Sequence, residues 1–521
     1  MHTHSPRCTF VSFVILFGLL LSAFSATAAA EPKPNLVIIY TDDQGYGDAS
    51  CLNPDSKFDT PNLDRLAREG MTFTDGHSSD TVCTPSRYGL LTGRYSWRTA
   101  LKKGVYGADR DCLIEEGRMT IGSLLQAQGY QTAMVGKWHL GMQFDGTLGK
   151  RDWSKPFRQG PVDRGFDYFF GIPASMNYGV LTYLEGDRVL KPADLWTAKK
   201  PGLLKADPAS YRITPPYQAE FFNGSKLGGP LEVAADFDDV DVLRVFVEKS
   251  KAWLDEAVKP EPGAATKNFK PFFLYLPLTS PHKPVIPAPE FVGKSQCGAY
   301  GDFMVETDFR VGQMMDHLDT LGVADNTIIV FTSDNGPEKT YIKRIPNFDH
   351  RSSGIYRGGK RDLYEGGHRV PFLVRWPAKV KAGSTSDVPV SQTDLLATMA
   401  ELLGTELPAN AGEDSWSFAK ILKGDTLERD VPLMHHSSAG LFAVRDGDWK
   451  LHLDKPKAPK LYNLAQDPSE TDNLAGKHAK RVRELKATAT RLVQRGRSTP
   501  GAVQKNDVPW WKQLTWIPKP E

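Results

Sequence analysis

The sequence predicts an α/β protein. A large, mainly parallel sheet sandwiched by helices is followed by a small antiparallel subdomain that carries one helix. Three observations predict it. Asn35-Leu36-Val37-Ile38-Ile39-Tyr40 and Asn326-Thr327-Ile328-Ile329-Val330-Phe331 are continuous apolar runs rich in β-branched residues, the mark of strands buried on both faces of a parallel sheet. Helical periodicities lie between them, and strands alternating with helices build α/β units. From about residue 430 the texture changes to short strand-like pieces separated by turn residues.

A chain of 521 residues has room for one large domain and a smaller companion. Apolar residues at 40% and charged residues at 24% suffice to fill a core, which excludes wholesale disorder and a disulfide-stapled mini-protein. Lys plus Arg (64) against Asp plus Glu (62) leaves a net charge of +2, with no basic stripe of the kind nucleic-acid binders carry. A nucleic-acid partner is therefore not expected.

Residues 1–30 read as a secretory signal. Arg7 lies in a polar start, Phe10 to Phe24 is almost wholly apolar, and Ala28-Ala29-Ala30 precedes Glu31, so cleavage is expected after Ala30. The apolar core falls short of the roughly 20 residues that span a bilayer. A secreted or periplasmic protein without stable membrane insertion is expected. Cys8 leaves with the signal. Cys51, Cys83, Cys112 and Cys297 remain, too few for disulfides to hold the fold.

After the first strand, helical patterns run over Asn62 to Glu69, Thr120 to Gln128 and Val305 to Leu321. Residues 144–230 are rich in Gly, Pro and aromatics without periodicity, as functional loops are. Leu441 to Arg445, Trp449 to Leu453 and Lys460 to Leu464 read as short strands, and Lys477 to Arg495 as a helix. The expected organisation is a catalytic domain over 31–430 and an antiparallel subdomain over 431–521.

Both buried strands end in oxygen ligands: Thr41-Asp42-Asp43 and Thr332-Ser333-Asp334-Asn335. Ligands of open α/β sheets bind beyond the carboxyl ends of the strands. One such pair would cap a following helix or turn. Two with the same layout favour a hard cation held by oxygens, such as Ca²⁺ or Mg²⁺. Cys83-Thr84-Pro85-Ser86-Arg87, closed by Gly93, reads as a short helix with Cys83 at or just before an anion-attracting N-terminus. Arg87 is placed to share its face. Spacing alone leaves Cys83 either a buried structural thiol or a reactive one. If the chain stays extended at Gly136-Lys137-Trp138-His139, Lys137 and His139 project to one side. His282 follows the apolar strand Phe272 to Leu276, and Lys360 sits on the glycine-rich turn Gly358-Gly359-Lys360.

These motifs together resemble the type I sulfatases of the alkaline-phosphatase-like superfamily. Cys83-x-Pro85-Ser86-Arg87 with Leu91-Thr92-Gly93 is similar to their signature. Gly129-Tyr130-x-Thr132 with Gly136-Lys137-Trp138-His139-Leu140-Gly141 is similar to their second one. Asp42-Asp43, Ser333-Asp334-Asn335-Gly336, Arg357-Gly358-Gly359-Lys360 and Leu461-Tyr462-Asn463-Leu464 match too. The resemblance covers nearly the whole chain after the signal, and only 144–230 matches loosely.

The resemblance implies an alkaline-phosphatase-like fold and a sulfuric ester hydrolase in which Cys83 is oxidised to formylglycine by a formylglycine-generating enzyme. It implies one Ca²⁺ held by Asp42, Asp43, residue 83, Asp334 and Asn335. The hydrated aldehyde would attack sulfur, with Asp334 accepting its proton, and His282 with Lys360 would protonate the leaving oxygen. His139 would then release sulfate by taking the second hydroxyl's proton. Arg87 would hold residue 83, and Lys137, His282 and Lys360 would bind substrate. The alternatives are a phosphomonoester or phosphonate hydrolase of the same superfamily, or a catalytically silent sulfated-glycan binder. Export points to a sulfated carbohydrate as substrate. In 144–230, Trp153, Phe157, Phe166, Tyr168, Phe169, Tyr178 and Tyr183 are candidate stacking faces, with Asn177 and Arg188 as polar selectors.

Overall fold

Thr327 to Ser333 and Asn35 to Asp42 pair side by side as the centre of a ten-stranded sheet. A computed structural model describes residues 1–2, 32–196, 231–260, 269–454 and 458–519. The targeting segment, apart from its first two residues, and residues 197–230 lie outside the described residues. Elements of the compact unit Pro34–Glu521 are labelled here in chain order. The sheet strands are β1 (Asn35–Asp42), β2 (Met71–Phe73), β3 (Gln131–Lys137), β4 (Tyr168–Ile172), β5 (Leu184–Glu185), β6 (Arg188–Val189), β7 (Phe272–Pro281), β8 (Thr327–Ser333), β9 (Phe372–Arg375) and β10 (Ser384–Ser386). They lie in the order β6-β5-β4-β3-β7-β1-β8-β9-β2-β10. The five central strands β4, β3, β7, β1 and β8 run parallel, while β9 and β5 pair antiparallel with them at either side.

Every residue of β1 is buried, because the sheet has a core on each face. Leu36, Ile38 and Tyr40 enter one cluster, and Val37 and Ile39 enter the other. This is the two-sided burial that the apolar runs predicted. The first cluster takes in α2 (Cys83–Thr92), α3 (Ile121–Ala127) and α6 (Leu395–Leu402). The second takes in α1 (Pro61–Glu69), α4 (Val242–Ala257) and α5 (Gly298–Thr320). On α4, buried Val242, Leu243, Phe246, Val247, Ser250, Leu254 and Ala257 form a stripe at helical spacing. The helix expected over Val305 to Leu321 begins earlier, at Gly298. A Cβ at Gly301 would stand 2.4 Å from Ser295 Oγ, so packing requires glycines that weaken the local helical signal.

The C-terminal sheet has four strands, β11 (Leu433–His436), β12 (Phe442–Asp446), β13 (Trp449–His452) and β14 (Lys460–Asn463), paired antiparallel in that order. Three were expected; β11 was not. α7 (Ala479–Gln494) packs on them. Their separate apolar cluster includes Met434, Phe442, Leu485 and the tail residues Trp511 and Trp516, but also Tyr95 and Trp97, which follow α2. Among the described residues no helix is long and apolar enough to cross a membrane, and Cys51, Cys83, Cys112 and Cys297 form no disulfide with one another.

Gly136, one residue before the end of β3, has φ 140°, and a Cβ there would meet Pro277 O of β7 at 2.1 Å. Gly136→Ala is expected to destabilise the protein by about 3 kcal/mol, because backbone must move on either strand. Urea unfolding of the two forms checks this, and a loss below about 1 kcal/mol contradicts it.

Candidate active site

The carboxyl ends of the parallel strands deliver the polar groups. Asp42 closes β1 and Asp43 follows it, Lys137 closes β3, His282 follows β7, and Asp334 and Asn335 follow β8. α2 starts at Cys83 after the extended Val82 and has no side-chain cap, leaving its first N–H groups and the positive end of its dipole at the site. It ends at Gly93 with φ 62°, the left-handed turn that glycine adopts at helix ends.

Asp42, Asp43, Cys83, Lys137, His139, His282, Asp334, Asn335 and Lys360 are all buried, together with Arg87. Three carboxylates meet three cations. Asp42 pairs with Lys137, and Arg87 Nη2 donates to Asp334 Oδ2 at 2.8 Å. Lys360 Nζ donates to Asp43 Oδ1 and stands 3.8 Å from Cys83 Sγ. Arg87 also donates to Lys137 O at 3.0 Å and lies over the Tyr40 ring. The Asp43 N–H donates to Asp334 Oδ1 at 3.1 Å, and Asn335 Nδ2 to Asp43 Oδ1 at 2.7 Å.

Burial pushes the Cys83 thiol up to about 12, against the pull of Lys360 and then Lys137. The unmodified residue is a thiol, a weak nucleophile. Against the upward push of burial, Lys137 and then His282 hold Asp42 well below the usual carboxylate range. Burial, and then the Asp42 charge, raise Asp334.

Asp42 Oδ1, Asp43 Oδ2 and Asn335 Oδ1 are buried without a hydrogen-bond partner. One ligand atom from each of Asp42, Asp43, Cys83 and His282 lies within 4.8 Å of the others. Orphaned buried oxygens are costly, and three of them on residues at the ends of two paired strands fit a hard, oxygen-preferring cation.

Lys137 and His139 both reach the site, but the chain does not stay extended between them. His139 sits at φ 60°, beyond the strand. Its Nε2 pairs with Tyr106 O at 3.0 Å, while Nδ1 has no partner. The carbonyl fixes the N–H on Nε2 and leaves a bare lone pair on Nδ1. His282 Nδ1 pairs with Lys283 O at 2.6 Å, and its Nε2 lies 3.7 Å from Asp43 Oδ2. Burial lowers both imidazoles, His282 to about 4. Sequence reasoning missed the carbonyls of Tyr106 and Lys283, since any residue offers one.

Of the candidate sugar contacts, Phe157, Phe166 and Phe169 are core residues. Tyr183 is stacked at 5.3 Å on the core residue Phe170, and Trp153 packs against the core. Tyr168 donates to Glu185, and the exposed Arg188 donates to Ser154 O. Tyr178 lies beside His139, with ring centroids 5.5 Å apart.

A second buried cluster went unread because each member is a lone residue in sequence. His77 Nδ1 meets His368 Nδ1 at 3.0 Å, His77 Nε2 meets Asp75 Oδ1 at 2.6 Å, and Lys450 Nζ meets His368 Nε2 at 3.0 Å. One tautomer of each ring satisfies the chain from Lys450 to Asp75. His435 stacks on His368 at 3.7 Å. His77, Glu365, His368 and His435 lie close enough to share an ion. However, Arg369, Arg445 and Lys450 already neutralise Asp75, Glu365 and Glu470, so the cluster is a balanced clasp between the C-terminal sheet and the loops before Cys83 and after Lys360.

Burial lowers His77, His368 and His435, reinforced by Lys450 beside the last two. The folded state thus binds fewer protons than the unfolded chain below the unfolded value of about 6.5. The stabilisation is present above that value and is lost as pH falls, by up to about 1.4 kcal/mol per pH unit for each histidine. Tm is expected to fall by several degrees between pH 7 and pH 5. A Tm that holds or rises over that range contradicts the reading.

The sulfatase family profile matches residues 34–405. A profile for the C-terminal region of N-sulphoglucosamine sulphohydrolase matches residues 354–496. The chain is 34% identical over 489 residues to an N-acetylgalactosamine-6-O-sulfatase of Bacteroides thetaiotaomicron, covering 87% of this chain and 92% of the relative. It is 32% identical over 486 residues to arylsulfatase A of Homo sapiens, covering 88% and 86%. A solved structure from work on glycosaminoglycan metabolism by Bacteroides thetaiotaomicron superposes with a TM-score of 0.76 at 33% identity, covering 88% of this chain and 99% of that one. A sulfatase from Pseudoalteromonas sp. superposes with a TM-score of 0.67 at 26% identity, covering 90% and 92%.

Proposed function

The chain belongs to the sulfatase family and hydrolyses sulfate esters, and from that premise we propose that it is an exported sulfatase of sulfated carbohydrates that uses formylglycine at position 83 and one Ca²⁺. The observation that carries the cation is a set of three unpartnered buried oxygens, on Asp42, Asp43 and Asn335, where the paired strands β1 and β8 end. Asp334 and residue 83 complete the proposed ligand set. A bound Ca²⁺ would neutralise sulfate oxygens, and a hydrated aldehyde at 83 would supply a strong oxygen nucleophile at neutral pH.

The chain's own residues do the rest. Lys137 and Lys360 hold the anionic group by charge. Arg87 fixes Asp334 and, from the same helix, the position of residue 83. Asp334 takes the proton of the attacking group. His282 donates its Nδ1–H to Lys283 O, so its Nε2 carries a proton only as the imidazolium, which the negative charge of a bound sulfate ester favours. In that form it passes the proton to the leaving oxygen, with Lys360 beside it. His139, its Nε2 engaged by Tyr106 O, offers Nδ1 as the base that frees the product.

The named action of the bacterial relative on an N-acetylgalactosamine sulfate supports a sulfated saccharide here. So does a structural neighbour in complex with D-glucosamine-2-N,6-O-disulfate, which at 18% identity speaks through its fold. The proposal includes a signal cleaved after Ala30, maturation by a formylglycine-generating enzyme, and a division into a catalytic domain over 31–430 and a subdomain over 431–521. The four-stranded antiparallel sheet over 433–463, distinct from the ten-stranded sheet, supports that division.

Matched sulfate, phosphate and phosphonate esters should separate the readings. Sulfate release is expected to exceed phosphate or phosphonate release by at least about 10³-fold in kcat/KM; equal rates would favour the wider superfamily chemistry.

A further inference from the structure

The groups that hold the sulfate are buried and indifferent to what carries it, so discrimination between esters falls to partly exposed side chains near Cys83. Two such side chains are within electrostatic reach of Cys83: Tyr178 and Arg361. Both are held. The Tyr178 N–H donates to Ser175 O at 2.9 Å, and the following Gly179 at φ 61° abuts Ala108, so the turn sets the Tyr178 ring against His139. Asn177 of the same turn is 7% exposed, and its Oδ1 has no partner.

Arg361 follows Lys360 at φ 79°, a left-handed conformation that a long side chain adopts only when its surroundings impose it. Its N–H donates to Thr81 O at 3.0 Å, and its guanidinium grips Glu338 with two bonds of 2.5 and 2.9 Å. The side chain is nevertheless 37% exposed, which leaves N–H groups for a ligand.

We infer that Tyr178 and Arg361 form the rim that reads the pyranose ring carrying the sulfate, which rests on the proposed saccharide substrate. The apolar C–H face of a pyranose packs on the Tyr178 ring. Its hydroxyls beside the sulfated carbon accept from Arg361 and donate to Glu338. Asn177 Oδ1 accepts from a hydroxyl or amide N–H of the same ring.

The test compares saccharide kcat/KM with inhibition by inorganic sulfate, which engages only the buried groups. Wild type must first turn over at least one sulfated pyranose. If it cleaves an aryl sulfate but no saccharide, the substrate reading fails and the inference falls with it. Given saccharide turnover, Tyr178→Ala and Arg361→Asn are each expected to lower its kcat/KM at least tenfold more than they weaken sulfate inhibition. Tyr178→Phe should restore most of the Tyr178→Ala loss. Asn tolerates positive φ, so Arg361→Asn keeps the test open if Tyr178→Ala fails to fold. A difference smaller than tenfold in either folded variant overturns the inference while leaving the substrate class standing.

Discussion

Cys83→Ala is expected to abolish turnover, with kcat/KM for any sulfate ester down at least ~10³-fold while the protein stays folded. The substitution removes one buried sulfur atom at the start of α2 and breaks no hydrogen bond required by the fold, so the stability cost is about 1 kcal/mol. Cys83→Ser, made in a host that matures only cysteine, is expected to be equally inactive and equally folded. The mass of the tryptic peptide containing residue 83 identifies the active species. Turnover by wild type whose peptide mass shows only unmodified cysteine would falsify the nucleophile assignment, since burial keeps the bare thiol protonated.

Removal of divalent cations is the second large effect. Chelation is expected to cost at least ~10³-fold in kcat and several degrees of Tm, both restored by Ca²⁺. The stability readout stands apart from catalysis. Without a cation, Asp42, Asp43 and Asn335 keep orphaned oxygens, and anything that binds them favours the folded state. Asp42→Asn preserves shape and removes one charge, so its Tm should respond far less to added Ca²⁺. Elemental analysis should find one calcium per wild-type chain. Metal-free protein with full activity and an unchanged Tm contradicts the site.

The candidate site residues were legible because strand ends are. An apolar β-branched run followed by two oxygen ligands predicts a location as well as a chemistry, and Asp42, Asp43, Asp334 and Asn335 meet where β1 and β8 pair. Lys137 and His282 were read from similar edges, and Lys360 from a glycine-rich turn. The C-terminal strand Leu433–His436 was not, because Leu-Met-His-His carries neither alternation nor β-branching. The histidine clasp was illegible for a different reason: His77 and His368 are 291 residues apart, and nothing local announces that two lone imidazoles will touch. The proton roles proposed for His139 and His282 likewise depend on backbone carbonyls, which leave no trace in composition. The aromatics of 144–230 were over-read; most of those described proved to be packing, and Tyr178 stands out only through its neighbour His139.

The central strand β1 leaves the ribosome long before the strands that flank it. Phe272 and Thr327, which bond Asn35 on either side, lie 237 and 292 residues downstream. The third apolar cluster closes over Trp97 only when Trp511 and Trp516 arrive. Contacts this distant in the chain must wait for the intervening residues, so the nascent protein has no complete central sheet until Thr327–Ser333 has emerged. Cys83 is 2% exposed once folded, so a modifying enzyme would reach it only before the fold closes. Translation order would thus set the window for the proposed modification of residue 83, and a chain that folded unmodified would have missed it.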